Sequence, residues 1–337
     1  MSRVRRTNCL LWPIAGVCCG FASLLLVIAG SVGGAVAADS ITLTFGWPHD
    51  LRGRAEFSDR REKGVGENAR VVRIVGSYSF ETAPVADGIV ISFGDPRVQI
   101  DGGDADAAGQ AKLQEFLTRS MSIPPSFVVD RAGDYVRLEG IDAYREAQRS
   151  AFVDLLGDVP DASRQLVLRL FEATMSEQQL EAGIVESWYR EVGGWIGAEL
   201  DQGETYEATF TDTVPMLGNA EIPMRAEVRF LGRVPCADGA TTSACADLEM
   251  VSSVDPDALA QVLEDFVRGL SAGSEAAPRV ETLKFDTTVR LVTEPDTLLP
   301  HRSQTKKVTS IVISQDGKSH SSGQIQETEY RYEYLPR

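Results

Sequence analysis

Alternation of apolar and polar residues is the main pattern along most of this chain. Between residues 41 and 100, and again between 203 and 335, apolar side chains recur at every second position. This period is typical of β-strands that have one wet face. The first run shows it at Ile41, Leu43, Phe45 and Trp47. The pattern predicts long antiparallel strands, and the last three cover 279–293, 304–315 and 323–335. Asp316-Gly317 predicts the turn of the final hairpin.

The period becomes helical between residues 141 and 198, which predicts three helices there. In the third, Ser176 and Gln179 have the spacing of a capping box. Its apolar stripe follows at Leu180, Ile184, Trp188, Val192 and Trp195. One more helix is expected near 113–121, and another at Asp255-Pro256, where Asp caps and Pro begins the helix.

The order of these elements predicts an α+β fold. Its core is one or more long, curved antiparallel β-sheets, or a half-barrel, with packed helices and a central helical segment, because strands of this length must twist and curl. The predicted organisation is a β part with one helix at 39–140, a helical segment at 141–200, and a second β part with one helix at 201–337.

Residues 1–38 are predicted to be a signal peptide. Arg3, Arg5 and Arg6 precede a stretch without any charge that lasts until Asp39. A basic start, an apolar middle and a small-residue end are typical of bacterial-type secretion signals, with cleavage expected near Ala37 or Ala38. The alternatives are an uncleaved anchor and a lipid-modified cysteine at 18 or 19. We therefore expect a periplasmic or secreted protein.

Cys236 and Cys245 are the two cysteines left after that cleavage, and we expect them to form a disulfide. Exported chains reach an oxidising compartment, and predicted strands lie on both sides of the loop between the two cysteines. Zinc binding is the competing interpretation, but two cysteines without a histidine nearby in sequence make half a zinc site.

The strongly acidic composition excludes one class of partner. The formal net charge is −16, and removing the three signal arginines from 33 Lys+Arg leaves 30 against 49 Asp+Glu, or −19. Such a field repels nucleic-acid phosphates and anionic lipid headgroups. We expect no nucleic-acid partner, and contact with a membrane through the signal segment if it is kept.

Four residues match a calcium-binding loop pattern: Asp104, Asp106, Gly109 and Glu115. However, Ala108 occupies a ligand position and Lys112 places a cation near the site. A solvated acidic turn before a helix is the better interpretation, and we expect no metal or other cofactor.

Known catalytic patterns give little support for an enzyme. Ser303 and Lys306 have the S-x-x-K spacing, but on a strand they face opposite sides. The three histidines, His49, His301 and His320, lie next to turns or polar residues and are expected at the surface. No nucleophile elbow sequence occurs. We expect a non-catalytic protein, although carboxylates that meet only in space escape this search.

Aromatic residues are the candidate ligand-binding side chains. Tyr330, Tyr332 and Tyr334 share one strand face, where they can line a groove or pack against a helix. Trp188 and Trp195 have the same two interpretations, as core residues or as part of a lid over a ligand.

The element order of 41–137 and 203–335 resembles that of the periplasmic lipoprotein carriers, in which a half-open antiparallel barrel with covering helices holds acyl chains. It is also similar to uncharacterised exported bacterial β-rich proteins. The resemblance implies an apolar groove for a lipid-like ligand, and the helical segment 141–198 departs from it. We therefore expect a protein that binds an apolar or lipid-like ligand in the concave face of a curved sheet. The alternative is a structural or protein-interaction component of the cell envelope without a ligand cavity.

Overall fold

The computed structural model describes residues 39–64, 69–102, 107–121, 124–156, 164–165, 168, 171, 175–214, 220–237, 244–255, 262, 279–315 and 318–335. The predicted signal peptide, the acidic residues 104 and 106, the body of the predicted helix after Asp255 and the Asp316-Gly317 turn lie outside these residues.

Long strands form most of the described chain. They are β1 Ser40–Thr42, β2 Arg52–Lys63, β3 Arg70–Val85, β4 Gly88–Gly102, β5 Ser126–Val129, β6 Tyr135–Glu139, β7 Glu199–Asp201, β8 Thr205–Val214, β9 Ala220–Val234, β10 Cys245–Val254, β11 Arg279–Thr293, β12 Pro300–Gln315 and β13 Lys318–Tyr334. Three helices accompany them: α1 Ala107–Ser120, α2 Ile141–Leu156 and α3 Glu177–Glu191. A 3-10 turn, Gly193–Trp195, follows α3.

Eleven strands join in one antiparallel sheet in the order β6-β5-β4-β3-β2-β13-β12-β11-β10-β9-β8. β1 and β7 make a separate two-stranded sheet. The large sheet is curved and does not close. The predicted α+β class with a long curved antiparallel sheet is therefore confirmed. β13 pairs with β2, so strands from both ends of the chain are neighbours in the same sheet.

The main core lies on the inner face of β9, β10 and β11. Phe230, Leu248 and Leu291 on these strands have no exposed surface, and Leu43 and Leu200 pack into the same cluster. The buried rings of Trp188 and Trp195 belong to it as well. We call the face that carries this core the inner face; apolar residues alternate onto it while charged residues of the same strands face outward.

One predicted strand is shorter than expected. The alternation from Ile41 to Trp47 predicts a strand, but β1 ends at Thr42. Beyond it the backbone N–H of Leu43 bonds to Ala198, and those of Thr44 and Gly46 bond to residues 295 and 297. The segment stays extended but alternates between two partners, so no continuous ladder forms.

The helices pack on one another and on the sheet. Arg119 of α1 pairs with Asp154 of α2 at 2.5 Å, and Gln114 of α1 bonds to the backbone of β4 beyond the point where β5 ends. α3 begins after Ser176 as predicted, but Ser176 makes no side-chain capping bond. No described helix is both long and apolar enough to cross a lipid bilayer.

Candidate functional site

The disulfide is present where the sequence predicts it. Cys236 follows β9 and Cys245 opens β10, and the two Cα atoms are 5.1 Å apart. The antiparallel register, in which Cys245 faces Val234, brings the two side chains together.

His301 lies beside this disulfide, which the sequence did not predict. The side-chain ligand atoms of Cys236, Cys245 and His301 lie within 4.8 Å of one another. The surface position expected for His301 is wrong, because its side chain is only 14% exposed and its ring packs on Tyr334. His301 also bonds to Glu294 at 3.1 Å, and this bond keeps the pKa of Glu294 below its usual value. With both sulfurs in the disulfide, they do not offer the thiolates that a zinc site needs.

A cavity of about 460 Å³ lies between the inner face of the sheet and the helices. We call it the inner cavity. Its helical side is mostly apolar, with Met121, Pro124, Pro125, Tyr144, Leu180 and Ile184. Its sheet side comes from β2, β3, β4, β12 and β13. This volume is in the range of about 300–1,000 Å³ that small-molecule sites have.

The strand register arranges the sheet side of the inner cavity by polarity. Tyr330 of β13 lies opposite Phe57 of β2, and Tyr78 and Phe93 continue this aromatic end on β3 and β4. Two residues along β13, Thr328 lies between Asp59 and Thr305. Two residues further, Gln326 lies between Arg61 and Lys307, which form the cationic end. The two ends are four residues apart along β13, or about 14 Å.

Charged side chains in the inner cavity form two clusters. Asp59 pairs with Arg61 at 2.7 Å and also accepts hydrogen bonds from Gln326 and Thr328. In the second cluster, Oε1 of Glu186 on α3 contacts Lys307 at 2.8 Å and Arg190 at 3.4 Å. Because one carboxylate oxygen serves both cations, Lys307 and Arg190 lie close together.

Arg190 is the most buried cation lining the inner cavity, with 13% of its side chain exposed. Its two terminal nitrogens bond to Glu186 and Ser187, while no described residue accepts a hydrogen bond from its buried Nε. Burial alone would lower the pKa of the guanidinium, but Glu186 and Glu191 outweigh burial and raise it. Arg190 therefore stays charged and keeps a donor unused.

The three predicted tyrosines share the inner face but have different roles. Tyr330 lines the inner cavity, and burial raises its pKa to about 12. Tyr332 stacks on Tyr330, and its hydroxyl donates to the buried carboxyl of Glu191. The Tyr334 hydroxyl donates to the carbonyl of Pro300 at 2.6 Å. Of the three, Tyr330 is placed to touch a ligand in the inner cavity.

Trp188 and Trp195 are core residues that do not appear in the described lining of the inner cavity. The Trp188 indole donates to the carbonyl of Gly133 at 2.9 Å, and the Trp195 indole donates to that of Arg190 at 2.9 Å. These bonds fix the last turn of α3 and the turn after it. The sequence offers both interpretations of these rings, and the contacts favour the core.

The opposite face of β2, β3, β4 and β13 has a different character. A groove of about 590 Å³ there, the outer groove, is lined mainly by polar and charged residues. Its charged residues are Arg54, Glu56, Arg73, Arg97, Glu329 and Arg331. The contrast follows from the two-residue period, which sends neighbouring residues of a strand to opposite faces.

Comparisons with known proteins give no family. No family model matches this chain, and no curated protein matches it in sequence. Among solved structures, one described as lipid-protein interactions in lipovitellin aligns with 86% of this chain at 9% identity and a TM-score of 0.37. The chain spans 25% of that lipovitellin chain. A similarity at this level supports no argument about function.

Proposed function

We propose that this protein binds an apolar, lipid-like molecule in the inner cavity and has no catalytic role. The observation that carries the proposal is the wall of the cavity: four aromatic rings on the sheet side face apolar helix residues across about 460 Å³. Such a surface gains free energy when an apolar ligand displaces water from it. The carriers that the element order resembles use a comparable arrangement, which makes the same proposal.

The test uses a neutral apolar fluorophore, N-phenylnaphthylamine, whose emission rises when it leaves water. We expect the unmodified protein to bind it, and Ile184→Asp in the cavity wall to weaken binding about tenfold or more, because the carboxylate becomes buried against the probe. Val71→Asp is the matched control, since Val71 is 41% exposed and is not among the lining residues.

Native mass spectrometry of protein purified from cells supplies a second measurement. A co-purifying ligand mass agrees with the proposal. A clean apo mass together with no probe binding overturns it and favours the alternative, a structural or interaction protein of the cell envelope.

We also propose that the chain is exported to the periplasm or beyond the cell. The basic, apolar and small-residue order of residues 1–38 and the Cys236–Cys245 disulfide support this. Intact-mass measurement of the mature protein tests it: a chain that begins after Ala37 or Ala38 is expected, and a full-length chain in the cytosol contradicts the proposal.

A further inference from the structure

The charges of the inner cavity indicate what kind of apolar ligand it takes. Its described lining has three basic residues, Arg61, Arg190 and Lys307, against two acidic ones, Asp59 and Glu186. This is the reverse of the whole chain, which has a formal charge of −16. Burying an excess of positive charge in a mostly apolar wall is costly unless an anion compensates it.

A purely apolar ligand leaves this cost in place. Glu186 already contacts both Lys307 and Arg190, so it balances one of the two cations. Glu191, the next carboxylate on α3, accepts a hydrogen bond from Tyr332 and is not part of the described lining. Burial raises the pKa of Glu191, which makes it a poor source of negative charge.

The geometry points to an anionic amphiphile as the ligand, and this inference rests on the proposed function. Its apolar body lies against Phe57, Tyr78, Phe93 and Tyr330, and its single anionic head lies against Arg190 and Lys307. Arg190 offers the buried Nε that no described residue uses. The head is a carboxylate, sulfate or phosphate, all of which accept charge-assisted hydrogen bonds from guanidinium and ammonium groups.

The position of the head follows from the polarity of the sheet side. Lys307 and Arg61 lie on both sides of Gln326, about 14 Å along β13 from the ring of Tyr330. The side chains of Lys307 and Arg61 are 22% and 27% exposed, whereas Phe57 and Tyr330 lie deeper along the sheet toward the buried Ala55. A ligand with its head at the cationic end therefore keeps that end nearest to water.

A head-group series on the unmodified protein tests the inference without any mutation. Decanoate, decyl phosphate, decanol and decyltrimethylammonium share one alkyl chain and differ in the head. Isothermal titration calorimetry is done below the concentration at which each forms micelles. We expect both anions to bind about tenfold or more tightly than decanol, and the cation to bind most weakly. A difference between decanoate and decyl phosphate identifies the kind of anion.

Lys307→Met locates the head. We expect this variant to lose about tenfold in affinity for decanoate while its affinity for decanol stays unchanged. Arg97→Met in the outer groove is the matched control and is expected to change neither. Arg190→Met is expected to behave like Lys307→Met, and its circular dichroism spectrum establishes that it is folded before binding is measured.

The outcomes separate this inference from the proposed function. If all four compounds bind equally, or if the cation binds best, the anionic head is wrong and the apolar site stands. If neither the alkyl compounds nor N-phenylnaphthylamine binds, both are wrong. If Arg97→Met has the same effect as Lys307→Met, the anion preference comes from the general field of the protein and the assignment of the head is overturned.

Discussion

Glu191 is a carboxyl group that the fold buries beside the tyrosines of β13. It is the last residue of α3, 9% exposed, and burial raises its pKa above the usual 4.5 although Arg190 and Tyr332 oppose the rise. A carboxyl group with a raised pKa in the folded state makes stability depend on pH. At acidic pH both states hold the proton. As the pH rises, the unfolded chain loses it first, so folding becomes less favourable until the pH passes the raised pKa.

We therefore expect Glu191→Gln to flatten the fall in stability between about pH 4.5 and neutral pH, where each tenfold difference in proton affinity is about 1.4 kcal/mol. The glutamine oxygen can still accept the hydrogen bond from Tyr332. Urea unfolding at a series of pH values measures the effect, and Glu333→Gln on the exposed face of β13 is the control. A parallel pair of curves for unmodified protein and Glu191→Gln contradicts the expectation.

Gly76 leaves the space that the ring of Phe57 occupies. The two residues face each other across β2 and β3, and a Cβ atom at residue 76 would lie 2.6 Å from the Phe57 ring. The backbone carbonyl of Arg97 is close on the other side, so neither neighbour can move away easily. We expect Gly76→Ala to lower the free energy of unfolding by about 1–3 kcal/mol.

The matched control for Gly76→Ala is Gly94→Ala on β4. A Cβ atom there would meet only the hydroxyl of Ser79, at 3.2 Å, and a hydroxyl can rotate away. Urea unfolding should give a midpoint near that of the unmodified protein for Gly94→Ala. Equal losses in the two variants would show that packing against Phe57 is not the cause.

The residues of the candidate site were predictable in part. Alternation places Tyr330 on one face with Tyr332 and Tyr334, because a strand has a fixed period of two. Lys307 and Glu186 give no such signal. They are 121 residues apart, and their contact exists because α3 lies on β12. Arg190 appears in the sequence as one more charge on a helix, and its burial depends on the same packing.

The hairpin of β9 and β10 carries the disulfide, and this element can be tested by itself. Replacing both Cys236 and Cys245 with Ala removes a cross-link over a short loop, which in the chain-entropy account costs about 2–3 kcal/mol of stability. We expect a lower urea midpoint for the double variant. A reducing agent should lower the midpoint of the unmodified protein and leave the double variant unchanged; a double variant as stable as the oxidised protein contradicts this.

Among the elements, those with a strong local period were predicted best. β11 occupies 279–293 as predicted, and α3 begins after Ser176. The segment from Leu43 to Trp47 has the same alternation as a strand, yet its partners come from residues 198 and 295–297. Alternation reports that one side of a segment is buried. It does not report whether a single strand lies alongside to form a ladder.

At the scale of the whole molecule, the pairing of β2 with β13 could not be read from the sequence. Gln324–Tyr334 and Gly53–Lys63 are paired residue by residue, and Arg60 bonds to Glu327 across 267 residues. No periodicity within either strand specifies a partner at that distance. The division of the chain near residues 140 and 200 remains a prediction about organisation, while the strands before and after it lie in one sheet.

This continuous sheet predicts that the described strands unfold together. If β2 separates from β13, each strand loses a long ladder and exposes a sheet edge to water, so partial opening is costly. We expect far-UV circular dichroism, which reports the sheet, and tryptophan fluorescence to give coincident urea transitions. Gly76→Ala in β3 and the cysteine double variant at β9 and β10 should each shift both signals equally. If fluorescence, which Trp47, Trp188 and Trp195 of the main core dominate, shifts in one variant while circular dichroism does not, the two ends of the sheet are separate cooperative units.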